Sequence, residues 1–230
     1  MPTFGKDPRE FIRHNLLTLE DTLHDPPARL LRSDGTVWVK LSDITGKFDQ
    51  VNRNRNRKGL AKLMPKSNET WWTKPTHIFE VVPASPFDDD GFAAYICPYA
   101  PNTTGRKMLG SDADVMFTAD MDGCTFGIGI PNSLGEVRVG HANAMNQATG
   151  SHFNPNYGPQ RAAQTNSLQA SNLSQTVLDP SEYRDNAPQG SELRAVTIGL
   201  RIKGVWEFWY QHHHADGDDY RNKVATTKLQ

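Results

Sequence analysis

The 230-residue sequence predicts an α+β protein, built on a β-sandwich or a mixed, mainly antiparallel sheet with peripheral helices. From residue 77 onward, short segments alternate apolar with polar or small residues, as half-buried strands do. The clearest pair, Ala195–Ile202 and Val205–Gln211, forms a hairpin around the turn Lys203-Gly204. Before residue 77, apolar residues recur at helical spacing. The sequence therefore predicts helices early in the chain and a sheet after them.

Composition excludes several classes of protein. The chain has 25 Lys and Arg against 26 Asp and Glu, a formal charge of −1, which argues against a dedicated nucleic-acid binder. Two cysteines, Cys97 and Cys124, are too few for a disulfide scaffold or a four-cysteine zinc site, and we expect no metal and no cofactor. No apolar stretch approaches the length of a membrane span. The first residues lack an apolar leader, which favours a cytoplasmic protein or one exported by a signal-peptide-independent route.

We expect residues 1–230 to form a single domain with three regions. The first, residues 1–70, is helical and basic, and the second is a β-rich core over 77–230. The core contains a polar insert, residues 143–192, in which 22 of 50 residues are Asn, Gln, Ser or Thr. Because a structureless loop of this length is unusual, we expect a surface excursion with short helices near 161–168 and 180–184. Oligomeric state is not encoded in any of these features.

The individual elements follow from local patterns. Asp7 is a candidate N-cap and Pro8 a candidate first residue of a helix that continues to Leu23. The basic segment 51–66 is interpreted as a solvated loop entering a short helix, with a surface for a nucleic acid or an acidic partner as the alternative. The remaining predicted strands are Thr36–Leu41, His77–Val82, Phe92–Cys97, Val115–Thr118, Thr125–Ile130 and Glu136–His141.

One predicted hairpin brings two reactive side chains together. A four-residue loop at Pro131–Leu134 would place Phe126 opposite Val139 and Ile128 opposite Val137, all on one face of the sheet. The same register places Cys124 opposite His141, where facing Cβ atoms lie about 4.5–5.5 Å apart. The pattern therefore predicts contact between a thiol and an imidazole at the open end of the hairpin.

Such a contact has chemical consequences. A thiolate is the nucleophilic form of cysteine, and a neighbouring histidine promotes its formation. The histidine must itself be oriented by a third group, for which Thr118 is the first candidate and Asp120, Asp122 and Asn143 are alternatives. The backbone amides of the turn before the thiol, Asp122, Gly123 and Cys124, are candidates for an oxyanion hole.

A second cluster, Gln211–Asp219, contains three consecutive histidines followed by three aspartates. Neighbouring residues of an extended chain point to opposite faces, so at most His212 and His214 share one ion. We interpret this cluster as a polar strand end that enters a loop.

The segment from Thr118 to His141 resembles the cysteine glutamine deamidases. That superfamily includes the chemoreceptor deamidase CheD, the catalytic domain of the cytotoxic necrotizing factors, and lethal-factor-like deamidase toxins. The shared features are Cys124 after a glycine at the start of a strand, His141 on the following strand, and Thr118 upstream of the cysteine. The intervals of six and seventeen residues are similar to those of CheD. This sequence departs from the toxin motif at Asp122, where a serine is usual.

The resemblance implies a function. Cys124 would be the nucleophile, His141 the base and Thr118 the residue that orients it, in an enzyme that hydrolyses the carboxamide of a glutamine in a protein substrate. It also implies a toxin or effector without a cofactor. A thiol peptidase or a transglutaminase would use the same pair, and a non-enzymatic binding module is a third alternative. The target protein stays open.

Overall fold

The computed structural model describes residues 4–45, 77–151, 154–183, 192–215 and 221–230. The predicted α+β class is confirmed, since two large sheets dominate and the helices lie at their periphery. The basic segment 51–66 and the aspartates at positions 216, 218 and 219 lie outside the described residues. No helix in the described ranges is long and apolar enough to cross a membrane.

The elements are numbered in chain order. The helices are α1 (Pro8–His14), α2 (Gly158–Ala170) and α3 (Pro180–Tyr183). The strands of the first half are β1 (Asn15–Leu19), β2 (Val37–Asp43), β3 (His77–Pro83), β4 (Phe92–Cys97), β5 (Thr104–Leu109), β6 (Val115–Thr118) and β7 (Thr125–Ile128). Those of the second half are β8 (Val137–Ala142), β9 (Thr149–Ser151), β10 (Asn154–Asn156), β11 (Thr176–Leu178), β12 (Glu192–Ile202), β13 (Val205–Ala215) and β14 (Arg221–Lys228).

The strands form one large and one small sheet, with β9 and β10 as a separate pair. The large sheet has eight strands in the order β1-β3-β2-β4-β6-β12-β13-β14, with parallel pairing at β1/β3 and β4/β6 and antiparallel pairing elsewhere. The small sheet is antiparallel, in the order β11-β7-β8-β5. Side chains of both sheets, among them Tyr95, Phe126 and Phe208, share one core, so the sheets pack face to face as in a sandwich.

The other face of the large sheet encloses a second core, because the sheet curls until β1 lies against β13 and β14. Buried Gln211 joins the two edges. Its Oε1 accepts from the Leu17 N–H at 2.9 Å, and its Nε2 donates to the carbonyls of Ile12 and Asn15 at 2.6 and 2.7 Å. One amide side chain thus hydrogen-bonds three backbone groups of α1 and β1, and it links these elements to β13.

The first helix is shorter than the sequence predicts. The predicted helix over 8–23 ends at His14, and Asn15–Leu19 is a strand in which every residue is buried. Asn15 closes the helix by donating from Nδ2 to the Phe11 carbonyl at 2.9 Å. The apolar residues that match helical spacing here instead belong to a strand covered on both faces, where strict alternation is not required.

The insert is part of the core rather than a surface excursion. Strand β11 adds to the edge of the small sheet beside β7, and α2 packs on β7 and β8. Leu168 and Leu173 are buried against Ala142. The polar composition of the insert is misleading, because Gln160, Gln164, Leu168, Leu173 and Leu178 are buried. The two predicted helices exist, as Gly158–Ala170 and Pro180–Tyr183.

This packing predicts a strong effect at Gly127. A Cβ atom there would collide with the carbonyl oxygen of Leu173 and lie 2.8 Å from a methyl group of Leu168. Gly127→Ala should therefore lower the free energy of unfolding by about 2 kcal/mol, measured by urea denaturation. Gly5→Ala is the matched control, because nothing lies within 4 Å of its Cβ position. An unchanged midpoint for Gly127→Ala would contradict the close packing of the insert on β7.

Candidate functional site

The hairpin β7–β8 has the predicted faces but a different register. Phe126 lies opposite His141, and Ile128 lies opposite Val139, a shift of two residues from the prediction. The cause is the loop: Gly135 donates to the Asn132 carbonyl at 2.9 Å and adopts a φ of 76°, which places Asn132–Gly135 in a tight turn. Because a shift of two keeps every side chain on its original face, Cys124 and His141 still share one face.

The shift gives Cys124 a different neighbour. Asn143 takes the position opposite Cys124, and its Nδ2 lies 3.3 Å from the Cys124 Sγ. His141 becomes the diagonal neighbour, a position typically about 7–8 Å away between backbones. Cys124 is buried, with 3% of its surface exposed. Asn143 is one of the alternative candidates for orienting the histidine, but in the structure its side chain contacts the Cys124 sulfur.

The turn before Cys124 is fixed by Tyr183. Gly123 has a φ of 85°, which favours glycine. Its N–H donates to the Tyr183 hydroxyl at 3.0 Å, and that hydroxyl donates to the Cys124 carbonyl at 2.7 Å. The Gly123 amide, a predicted oxyanion donor, is therefore already hydrogen-bonded here. Asp122, the other predicted turn residue, is exposed.

Two buried glutamines of α2 complete the support of this turn. Gln160 and Gln164 donate from Nε2 to the Gly123 carbonyl at 3.3 and 2.9 Å. Gln164 also accepts from the Thr125 hydroxyl at 2.8 Å through Oε1. The insert thus holds the segment that carries the thiol. No sequence motif singles out Gln164 or Tyr183, because their partners are backbone groups distant in the chain.

His141 is buried and neutral. It has no exposed surface, and neither ring nitrogen has a hydrogen-bond partner among the described residues. Burial, reinforced by the nearby His24, lowers the pKa of His141 to about 4. The ring of Tyr99 lies beside it, with ring centroids 5.5 Å apart. Buried polar atoms without partners are uncommon in folded proteins, so the position of this imidazole requires an explanation.

The other candidates for orienting the histidine lie elsewhere. Thr118 is buried on the large sheet, where its Oγ1 accepts from the Thr197 N–H at 2.9 Å, and it makes no hydrogen bond to His141 in this structure. Asp120 lies 3.3 Å, through Oδ2, from Nε2 of buried His213. Within the Gln211–Asp219 cluster, His213 points into the protein.

Cys97 is a buried thiol at the end of β4, next to Thr118 in the register. Burial raises the pKa of Cys97 to about 12, which outweighs the opposing effects of Lys107 and of a hydrogen bond from the His141 backbone. A thiol with such a pKa is almost entirely protonated at neutral pH and is a poor nucleophile.

A cleft of about 200 Å³ opens next to Asn143. Uncharged polar side chains form much of its wall, and Cys124 lies behind Asn143 rather than in the wall itself. The lining includes Asn102, Thr104, Asn143, Asn146, Gln164 and Ser167. A neutral wall of amides and hydroxyls is suited to a neutral polar group. Among the described residues, no three His, Cys, Asp or Glu side chains lie together as metal ligands would.

The lowered pKa of His141 predicts a loss of stability in acid. The unfolded chain, with an ordinary His pKa of about 6.5, binds more protons than the folded protein between pH 6.5 and 4. The free energy of unfolding is therefore unaffected by His141 titration above pH 6.5 and falls by about 3 kcal/mol as the pH drops to 4. His141→Leu should remove this part of the pH dependence, measured by urea denaturation across that range.

Other titrating groups contribute equally to the wild type and to His141→Leu, so the difference between the two proteins isolates the contribution of His141. Identical pH dependence of wild type and His141→Leu would contradict a buried neutral His141.

Comparison with known proteins gives distant structural similarity only, to chains such as the one described below. No family model and no curated protein matches the chain. Among solved structures, the C-terminal domain of CNFy from Yersinia pseudotuberculosis aligns with a TM-score of 0.32 and 10% identity, over 60% of this chain. The alignment spans 61% of that domain, about three fifths of its length.

Proposed function

We propose that this protein is a cysteine-dependent amidohydrolase that deamidates a glutamine side chain of a protein substrate, as a toxin or effector would. The observation that carries the proposal is the shared face of the hairpin. A thiol on a supported turn, Cys124, lies one diagonal from His141, a neutral imidazole whose nitrogens have no partner among the described residues. Such an imidazole is available to accept a proton.

The roles follow from this arrangement. The Cys124 sulfur attacks the carboxamide carbon while its proton passes to His141. The carbon–nitrogen bond then breaks, ammonia leaves with that proton, and water hydrolyses the thioester. Catalytic hydrogen bonds are often long without substrate and shorten when it binds, so the diagonal separation is compatible with proton transfer.

The neutral cleft supports a carboxamide as the reacting group. A charged side chain in the substrate would lose its hydration there without gaining an opposite charge from the lining residues, whereas an amide exchanges hydrogen bonds with water for bonds to the wall. Glutamine is preferred over a backbone amide because its side chain reaches into a recess. A protein surface presents such a side chain without unfolding.

The first experiment compares the two thiols. With iodoacetamide at pH 7, Cys124 should be alkylated at least ten times faster than Cys97, because burial keeps the pKa of Cys97 near 12. Mass spectrometry of the digested protein measures both rates in one sample. Faster labelling of Cys97 would contradict the assignment of Cys124 as the nucleophile.

The second experiment tests the activity. Incubated with a cell lysate, the protein should release ammonia and convert a glutamine to glutamate, detected by peptide mass spectrometry. Cys124→Ser should lose nearly all activity, because an alkoxide is far harder to form than a thiolate, and His141→Ala should lose about as much. Cys97→Ala is the matched control and should keep the activity.

Thr118→Val tests the predicted orienting hydroxyl. Because the Thr118 hydroxyl accepts from the Thr197 N–H and makes no hydrogen bond to His141 in this structure, we expect the activity of the folded variant to stay close to that of the wild type. The variant also leaves the Thr197 N–H without its partner, so its free energy of unfolding is measured alongside.

An active Cys124→Ser protein would contradict the thiol mechanism. Cleaved backbone would indicate a peptidase, and incorporation of an added primary amine would indicate a transglutaminase.

A further inference from the structure

The orientation of the Asn143 carboxamide is determined by its surroundings. Its Oδ1 accepts from the backbone N–H groups of Asn102 and Met145 at 3.0 and 3.2 Å. Since only the oxygen of a carboxamide accepts such bonds, Nδ2 must face the other way. It lies 3.3 Å from the Cys124 sulfur and 3.5 Å from the Tyr99 hydroxyl. Two N–H donors are thus held in fixed positions beside the nucleophile.

Tyr99 adds a second donor at the same point. Burial, together with the charge that Cys124 would carry as a thiolate, raises the pKa of Tyr99, so the phenol keeps its proton. Its oxygen accepts from Asn143, which leaves the hydroxyl proton to be donated in another direction. The backbone of Tyr99 is itself fixed, because its N–H donates to the His24 carbonyl at 2.9 Å.

The cleft determines how a carbonyl reaches the sulfur. Asn143 forms part of the wall and contacts the Cys124 sulfur, whereas Cys124 itself does not line the cleft. A carbonyl that enters from the cleft therefore passes Asn143 before its carbon meets the sulfur. The oxygen of the resulting adduct lies two bonds from the sulfur, within reach of a donor that contacts the sulfur from the same side.

We propose that the Asn143 carboxamide and the Tyr99 hydroxyl form the oxyanion hole for attack by Cys124. This inference rests on the proposed function. When the sulfur bonds to the carbonyl carbon, the π electron pair of the carbonyl moves to its oxygen, and the thiol proton passes to His141. Asn143 and Tyr99 then donate to the negative oxygen. The Gly123 amide, which donates to Tyr183, does not take part.

The test compares two reagents on Cys124. Iodoacetamide forms a carbon–sulfur bond by displacing iodide and creates no oxyanion. p-Nitrophenyl acetate acylates the sulfur through a tetrahedral oxyanion and releases p-nitrophenolate. Any change in the thiolate population affects both rates, so the ratio of acylation to alkylation isolates stabilisation of the oxyanion. Both rates are measured in a Cys97→Ala background.

Asn143→Asp retains an oxygen for the two backbone amides and removes the N–H donors. We expect the ratio to fall by about 100-fold, as when one oxyanion donor is removed from other enzymes. Tyr99→Phe should lower it by about tenfold. Asn132→Asp is the matched control and should leave the ratio unchanged. Asn132 also accepts from two backbone amides, those of Leu134 and Glu136 at 2.9 and 3.0 Å, at the far end of the hairpin.

The outcomes separate this inference from the proposed function. If Asn143→Asp lowers the acylation and alkylation rates by the same factor, or changes neither rate, the oxyanion role is overturned while the thiol mechanism stands. If neither reagent modifies Cys124 in the folded wild type, the nucleophile is absent and both proposals are overturned. A selective fall in acylation, together with a negative glutamine assay, supports the oxyanion hole and overturns the glutamine substrate.

Discussion

The hydroxyl of Tyr183 holds together the part of the molecule on which the candidate chemistry depends. It accepts from the Gly123 N–H and donates to the Cys124 carbonyl, so it fixes the two residues that come directly before β7. A buried hydroxyl with both functions satisfied is a stable anchor, whereas loss of it would leave two buried backbone groups without partners. The position of this backbone turn determines where the thiol lies. The polar insert therefore supports the hairpin and is not an appendage to it.

The electrostatics of the site follow from its burial. An imidazolium at position 141 would have to be formed away from water, and the pKa of about 4 keeps the ring neutral at physiological pH. A preformed thiolate–imidazolium pair is therefore disfavoured. Neutral donors do not carry that desolvation cost, and the Asn143 amide, which lies beside the Tyr99 hydroxyl, contacts the sulfur. This arrangement favours the proposed stabilisation of a transient negative charge over a preformed thiolate.

The sequence predicted the faces of the β7–β8 hairpin but not its register, whereas the hairpin around Lys203-Gly204 has the predicted turn. Alternation assigned Cys124, Phe126 and His141 to one face, which is correct because the strand period is two. The two-residue shift arose from the loop, where the asparagine and glycine at positions 132 and 135 form a tight turn that a four-residue loop model does not reproduce. Contacts such as Gln164 with Gly123 were beyond prediction, because they join segments whose approach depends on the complete fold.

The join at Gln211 has a consequence for the order of assembly during synthesis. Strand β1 leaves the ribosome early, yet its Leu17 amide finds its side-chain partner only when a residue almost two hundred positions later has emerged. Until then one edge of β1 is uncovered, and contacts between residues so far apart in the sequence form slowly. Strand β1 is thus exposed to aggregation while the residues between it and Gln211 are synthesised, and we expect a chaperone that shields apolar segments to increase the yield of folded protein.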